Sequence, residues 1–289
     1  MSAVNALEHR VPVAPDVALN VEWRRGDPEA APFVLVHGLA SNLHLWDGVA
    51  ERLHARGHTV VAVDQRGHGR SDAPEGGYNL DTAVADLLAL VDALGLARPV
   101  LAGQSWGGNV VLELACRRPD ATRGVACVDG GIIELVNSFP TWESCLAALT
   151  PPSLEHLTMA EFRARLQKSN SSFPAEALVA YEHCFRERAD GTIEPRLARH
   201  RHLEILRSLW EHRPSRRFAA LSVPAILLIA DNGDERRAAA KRQAEAAALA
   251  SGAKVRSHWF SPAHHDLHLQ FPDRVTDVLA GAVREGFFA

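Results

Sequence analysis

The chain alternates two hydrophobic patterns. Continuous apolar runs at Phe33–Val36, Val60–Val63, 100–102, 125–128 and 225–229 are short and rich in Val, Leu and Ile. Such runs suit strands buried on both faces of a parallel sheet. Between them, stretches such as 81–94 and 109–117 are amphipathic at helical spacing. Strand–helix alternation of this kind predicts a doubly wound α/β fold. The beginning differs: 10–13 and 18–23 flank a Pro-Asp turn and predict an antiparallel hairpin at the sheet edge.

The rhythm breaks between Leu135 and Ser215. No buried-strand run occurs there, and helical pieces near 141–149, 160–168, 175–186 and 199–212 are separated by Pro and Ser. The βα pattern resumes at Val223, with a further strand at Val255–Phe260. This predicts one core, residues 1–134 and 216–289, interrupted by a helical cap at 135–215. A length of 289 residues suits such an arrangement.

Charge and composition narrow the class. Lys and Arg total 31 against 35 Asp and Glu, so no basic excess points to nucleic acid. The hydrophobic fraction of 47% excludes a disordered chain. Cys116, Cys127, Cys145 and Cys184 lack metal-site spacing and read as reduced thiols. Residues 1–15 lack the basic and apolar regions of a secretory leader. No apolar run approaches the roughly 20 residues of a bilayer helix. These features lead to the expectation of a soluble, cytoplasmic protein with a small-molecule substrate and no membrane partner. They leave the oligomeric state open.

The strongest chemical signal is Gly103-Gln104-Ser105-Trp106-Gly107-Gly108, which follows a strand and opens a helix. A G-x-S-x-G turn in this context lifts the serine oxygen above the sheet, and the glycines two positions either side allow the close approach. Ser105 is therefore the candidate nucleophile. His37-Gly38-Leu39 ends the preceding strand of the pattern. Acyl transfer needs two N–H donors aimed at the oxyanion, assigned here to Leu39 and Trp106. His37 and Gly38 border the substrate on this reading, with His37 bracing the loop rather than acting as the base. Near the C-terminus, Pro262-Ala263-His264-His265-Asp266-Leu267-His268 follows the last strand. One of its histidines must serve as the base, and His265 is preferred over His264 and His268.

Together, the segments at 37–41, 64–72 (DQRGHGRSD), 103–108 and 264–268 resemble the α/β-hydrolase superfamily over nearly the whole chain. The resemblance implies an eight-stranded, mostly parallel sheet under a helical cap, with a structural role for Arg66 and His68. It also implies a carboxylate that orients His265. Asp234 stands after the strand that most often carries the acid in this superfamily. Asp129 ends the earlier strand that supplies it in some members. Asp234 is preferred narrowly, and Asp231 is a third choice.

The nucleophile type refines the expectation. Related dehalogenases and epoxide hydrolases place Asp at the elbow to attack an sp³ carbon, whereas Ser105 points to a carbonyl. The expected activity is cleavage of a carboxylic ester or lactone with a largely apolar acyl or alcohol part. Alternatives are hydrolysis of a carbon–carbon bond in a diketone, or a non-catalytic receptor on the same scaffold. No metal or organic cofactor is implied. Trp142 and Phe162 in the cap are candidate walls of the substrate pocket, and Trp106 flanks the nucleophile.

Overall fold

A computed structural model describes residues 7–169 and 172–289. The first six residues, part of the segment read above for a leader, lie outside the described residues. The core strands are β1 (Leu7–Ala14), β2 (Val17–Arg24), β3 (Phe33–Val36), β4 (Val60–Val63), β5 (Val100–Gln104) and β6 (Gly124–Val128). The cap contributes β7 (Phe185–Glu187) and β8 (Ile193–Pro195), and the core resumes with β9 (Ala225–Ala230) and β10 (Val255–Phe260). Eight strands form one sheet in the order β1-β2-β4-β3-β5-β6-β9-β10. The β1–β2 hairpin and the β2–β4 pair are antiparallel, and the rest of the sheet is parallel. This is the expected doubly wound, mostly parallel sheet with its hairpin at one edge.

Every residue of β3, β4, β5, β6 and β9 is buried. Alternate side chains divide between two clusters: Val34, Val36, Leu101 and Leu227 on one face, Phe33, Leu35, Ala102 and Leu228 on the other. The helices α1 (Asp47–His54), α2 (Leu80–Ala93) and α3 (Trp106–Arg117) follow β3, β4 and β5. Leu87, Leu90 and Val110 of α2 and α3 join the first face, and Val49 and Leu53 of α1 join the second. No helix among the described residues is long and apolar enough to cross a membrane.

The cap holds α4 (Leu135–Ser138), α5 (Trp142–Leu149), α6 (Met159–Ser169), α7 (Ala175–Leu178) and α8 (Arg199–Glu211). It departs from the sequence expectation at 175–186. After α7 the chain passes through a 3-10 turn at Val179–Cys184 and then enters β7, which pairs antiparallel with β8. Gly191, at φ 81°, turns the chain between these strands, and Ile193 is fully buried. Strands this short lack the repeats that would reveal a period. Beyond the cap lie α9 (Glu235–Leu249), α10 (Leu267–Gln270) and α11 (Pro272–Arg284).

Parallel register brings the carboxyl ends of the central strands level: Val36 pairs with Gly103, Gln104 with Val128, and Val128 with Leu228. Active sites of open α/β sheets collect at this edge. The approach of α3 to β3 depends on glycine. A Cβ on Gly107 would stand 2.4 Å from the Val36 carbonyl oxygen and 2.6 Å from that of His37. Gly107→Ala should cost about 1–3 kcal/mol or more by overpacking. Gly76→Ala, in open space, should stay within about 0.5 kcal/mol. Urea unfolding checks both, and equal midpoints would refute the close-approach argument.

Candidate active site

Three of the four non-glycine residues with positive φ among the described residues lie at this edge: Ala40, Ser105 and Asp129. Backbone held in such sparsely populated regions costs of order 1–3 kcal/mol and concentrates at functional sites. Ser105 (φ 52°) caps α3, which begins at Trp106, three residues earlier than the amphipathic pattern suggested. Its amide donates to the Val128 carbonyl at 2.9 Å, tying the elbow to β6. A Cβ on Gly103 would lie 2.1 Å from the Gly107 carbonyl oxygen, so a side chain there would push α3 off the strand.

Gly38 packs over the elbow, where an added Cβ would meet the Gln104 Oε1 at 2.3 Å and the Ser105 Cβ at 3.0 Å. Two histidines hold the loop from beneath. The Gln65 N–H donates to His37 Nε2 at 3.0 Å, so His37 Nδ1 carries the proton that faces the Gly38 carbonyl at 2.7 Å. The Ala40 N–H donates likewise to His68 Nε2 at 3.2 Å, and His68 Nδ1 faces the Arg66 carbonyl at 2.9 Å. Burial lowers both rings, His37 to about 4 and His68 to about 3. Both are neutral supports. His37, fully buried, braces the loop as expected but has no exposed surface with which to border a substrate. Arg66 forks onto Asp86 at 2.8 and 2.7 Å. The N–H groups of Leu39 and Trp106 have no hydrogen-bond partner among the described residues. The Trp106 indole is buried and lines a small pocket with Leu19 and Tyr78.

Of the three clustered histidines, the structure sets His265 against a carboxylate. Its Nδ1 lies 2.7 Å from Asp129 Oδ2. His264 is exposed and stacks edge-on against Phe173, and His268 is buried against Trp46. The carboxylate at His265 is Asp129, not Asp234. Asp234 is exposed and caps α9, accepting from the Arg237 N–H at 3.1 Å. Asp231 accepts from the Gly233 N–H at 2.9 Å in its own turn. Local turn and helix-cap bonds thus take both carboxylates that follow β9.

Asp129 is 2% exposed. Besides His265, it accepts from the Ala230 N–H at 3.0 Å and from Lys241 Nζ at 2.7 and 2.9 Å. Lys241 also donates to the Ala230 carbonyl at 2.7 Å. Burial alone would raise the Asp129 pKa, but His265 and Lys241 hold it below the usual carboxylate value. His265 shows the opposite balance. Partial loss of hydration lowers its pKa, yet the Asp129 hydrogen bond and charge outweigh that and raise it, while Lys241 opposes the rise.

Sequence reasoning missed Lys241, Gln104 and Asp266. Gln104 Nε2 donates to Asp266 Oδ1 at 3.0 Å, and the Tyr181 hydroxyl of the cap donates to Asp266 Oδ2 at 2.6 Å. Lys241 left a faint signal, as one of three lysines in an Arg-rich chain. Trp142 and Phe162 do not meet the expectation of pocket walls. Phe162 packs with Leu157, Ile193 and Phe185 inside the cap, and Trp142 faces Trp210 and Arg207. The histidines at 264–268 do not converge as ligands. Glu22, His44 and Asp47 do gather their ligand atoms within 4.8 Å. Arg24 pairs with Glu22 at 2.8 Å and His44 with Asp47 at 3.1 Å, while burial, aided by the neighbouring Asp47 carboxylate, raises the Glu22 pKa.

The sequence profile of the alpha/beta hydrolase fold family matches residues 31–219. The chain belongs to the α/β-hydrolase fold family. It is 28% identical to a haloalkane dehalogenase of Bradyrhizobium diazoefficiens over 183 residues, 63% of this chain and 56% of that one. It is 31% identical to a non-heme chloroperoxidase of Streptomyces lividans over 152 residues, 53% of this chain and 51% of that one. With a 2-(acetamidomethylene)succinate hydrolase of Mesorhizobium japonicum it shares 35% identity over 113 residues, 39% of each chain. The matches span about half the length of these curated relatives, or less. Among solved structures, E-2-(acetamidomethylene)succinate hydrolase superposes with a TM-score of 0.78 at 22% identity, covering 97% of this α/β-hydrolase and 100% of that chain. A thioesterase domain from the curacin biosynthetic pathway gives 0.77 at 20% identity, covering 96% and 99%. Likeness at that identity speaks to the fold alone.

The pairing of Lys241 with Asp129 has a measurable consequence. Lys241→Met removes a cation that lowers the His265 pKa, so the ring should stay protonated to higher pH. NMR titration of His265 in the folded variant should shift upward, and Lys241→Arg, which keeps the cation, should return it most of the way to the wild-type value. An unmoved or lowered titration would refute the coupling.

Proposed function

We propose that this α/β-hydrolase cleaves a carboxylic ester or lactone through an acyl-enzyme on Ser105. The observation that carries the reading is the Asp129–His265 hydrogen bond, 2.7 Å long, in a loop tied to the residue before Ser105. The ring nitrogen not facing Asp129 has no partner among the described residues. In the proposed reaction His265 Nε2 takes the Ser105 hydroxyl proton as the oxygen attacks the carbonyl carbon. Asp129 fixes the tautomer and stabilises the imidazolium that forms. The N–H groups of Leu39 and Trp106 receive the developing oxyanion, where one such donor contributes roughly 2.7–4 kcal/mol. His265 then returns the proton to the departing alkoxide, and water attacks the acyl group by the same route in reverse.

The likeness to a haloalkane dehalogenase does not carry its reaction across. Displacing halide from an sp³ carbon calls for a carboxylate nucleophile, and the elbow here holds serine. Serine favours a carbonyl, where the charge on oxygen can be shared with backbone donors.

A fluorophosphonate probe should label Ser105, and Ser105→Ala should lose at least about three orders of magnitude in ester hydrolysis. Labelling elsewhere, or full activity in the alanine variant, would overturn the assignment. Since the base must be neutral and its pKa is raised, kcat/KM should fall on the acid side of a midpoint above the ordinary imidazole value.

Asp129→Asn keeps the shape but favours the wrong tautomer, at a cost of about four orders of magnitude in the serine-protease case. Asp234→Asn should keep the helix cap, because an Asn oxygen accepts the Arg237 N–H as Asp does, and should keep its rate. Equal activities in the two variants, with folding checked by circular dichroism, would refute the role of Asp129.

A further inference from the structure

A cavity of about 120 Å³ lies at the seam between cap and core, lined on the core side by Ala40, Ser41 and His68 and on the cap side by Phe185, Arg196 and His202. Ala40 and Ser41 directly follow Leu39, so the cavity borders the loop that presents the Leu39 N–H. Its charge balance is uneven. Arg196 is half-buried, and its one hydrogen bond among the described residues is a long 3.4 Å contact to the Gly69 carbonyl. A guanidinium carries five N–H donors, so most of its capacity is unspent. Arg199, also on the lining, has no carboxylate partner among the described residues. The one acid on the lining, Glu155, is taken by Arg188 at 2.6 Å. The Ser41 Oγ is buried without a partner. Burial lowers the pKa of both flanking histidines, His68 and His202, so neither adds positive charge to the lining.

A half-buried guanidinium with free donors, with Arg199 on the same lining, is a complementary environment for a carboxylate. We infer that this cap–core cavity is a carboxylate-binding subsite, in which Arg196 holds an acidic end of the substrate whose ester or lactone carbonyl meets Ser105. The inference rests on the proposed serine hydrolysis for the second half of that statement, and on Arg196 and the cavity alone for the first. It modifies the expected substrate from largely apolar to an apolar body ending in one carboxylate. It also separates labour in the site: the elbow and His265 act on the carbonyl, and a cap arginine selects which acyl or alcohol chain reaches it.

The test uses the full chain with two phenyl esters, monophenyl adipate and phenyl hexanoate, which differ chiefly in the terminal carboxylate. The wild type should prefer the anionic ester in kcat/KM. Arg196→Met should cut the anionic-to-neutral ratio about ten- to a hundredfold, mainly through KM, as expected for a hydrogen bond to a charged group. Arg196→Lys should recover part of it. A ratio that Arg196→Met leaves unchanged overturns the subsite. Calorimetric titration with adipate provides a readout apart from turnover. Binding to the wild type that weakens tenfold or more in Arg196→Met supports the subsite even if neither ester is cleaved, and in that event the serine-hydrolase reading is what fails. Adipate binding that is absent, or equal in both proteins, overturns the subsite while leaving Ser105 chemistry untouched.

Discussion

A carboxylate removed from water has to be met by donors and cations, and Asp129 imposes that requirement on four parts of this chain at once. It directly follows β6, takes an N–H from the end of β9, receives Lys241 from α9, and holds His265 from the loop after β10. Stripping one partner from such a group typically costs 3–5 kcal/mol, because the charge stays buried. The placement of α9 and of the His265 loop is therefore bound to the β6–β9 pairing. The same interaction that stabilises this corner also orients the imidazole, so stability and chemistry draw on one set of bonds.

Much of this was legible in the sequence, for a physical reason that also marks where legibility stops. Strands buried on both faces must be apolar throughout, so β3, β4 and β9 stand out as continuous runs. The elbow is legible because its sterics demand glycine at 103 and 107, two residues either side of the serine. The acid was harder to read because it depends on which strand end the His265 loop meets in space. Both Asp129 and Asp234 follow strands, yet Asp234 precedes Glu235-Arg236-Arg237-Ala238, a helical start whose N–H groups claim a capping side chain. Reading that cap first would have left Asp129. The β7–β8 hairpin stayed hidden because three residues cannot display a two-residue period.

The cap packs both on itself and on the core, where Leu197 and Ile205 join the cluster of Val34 and Leu87. Leu157, Phe162 and Ile193 form one small cluster, while Phe173 and Leu178 join Leu45 and Leu269 in another that touches the core. Polar contacts complete the attachment: Asn42 Nδ2 donates to the Ala180 carbonyl at 2.8 Å, and Tyr181 donates to Asp266. Asp266 adjoins His265 and also accepts from Gln104, next to Ser105. Tyr181 thus ties the cap to the Asp266 side chain, which adjoins His265. Changes on the seam can alter what enters without unpacking the central sheet.

Four histidines crowd the carboxyl edge of the sheet, and their surroundings divide the work among them. His37, His68 and His268 are buried, and lost hydration lowers them to about 4, about 3 and about 4. The first two use their fixed neutral rings to hold the loop that carries the Leu39 N–H. His265 alone among them faces a carboxylate within hydrogen-bond reach, and alone has its pKa raised. On the proposed reading the base is therefore marked at this edge by its neighbour and not by its residue type, which is why three histidines within five residues could not be ranked by spacing.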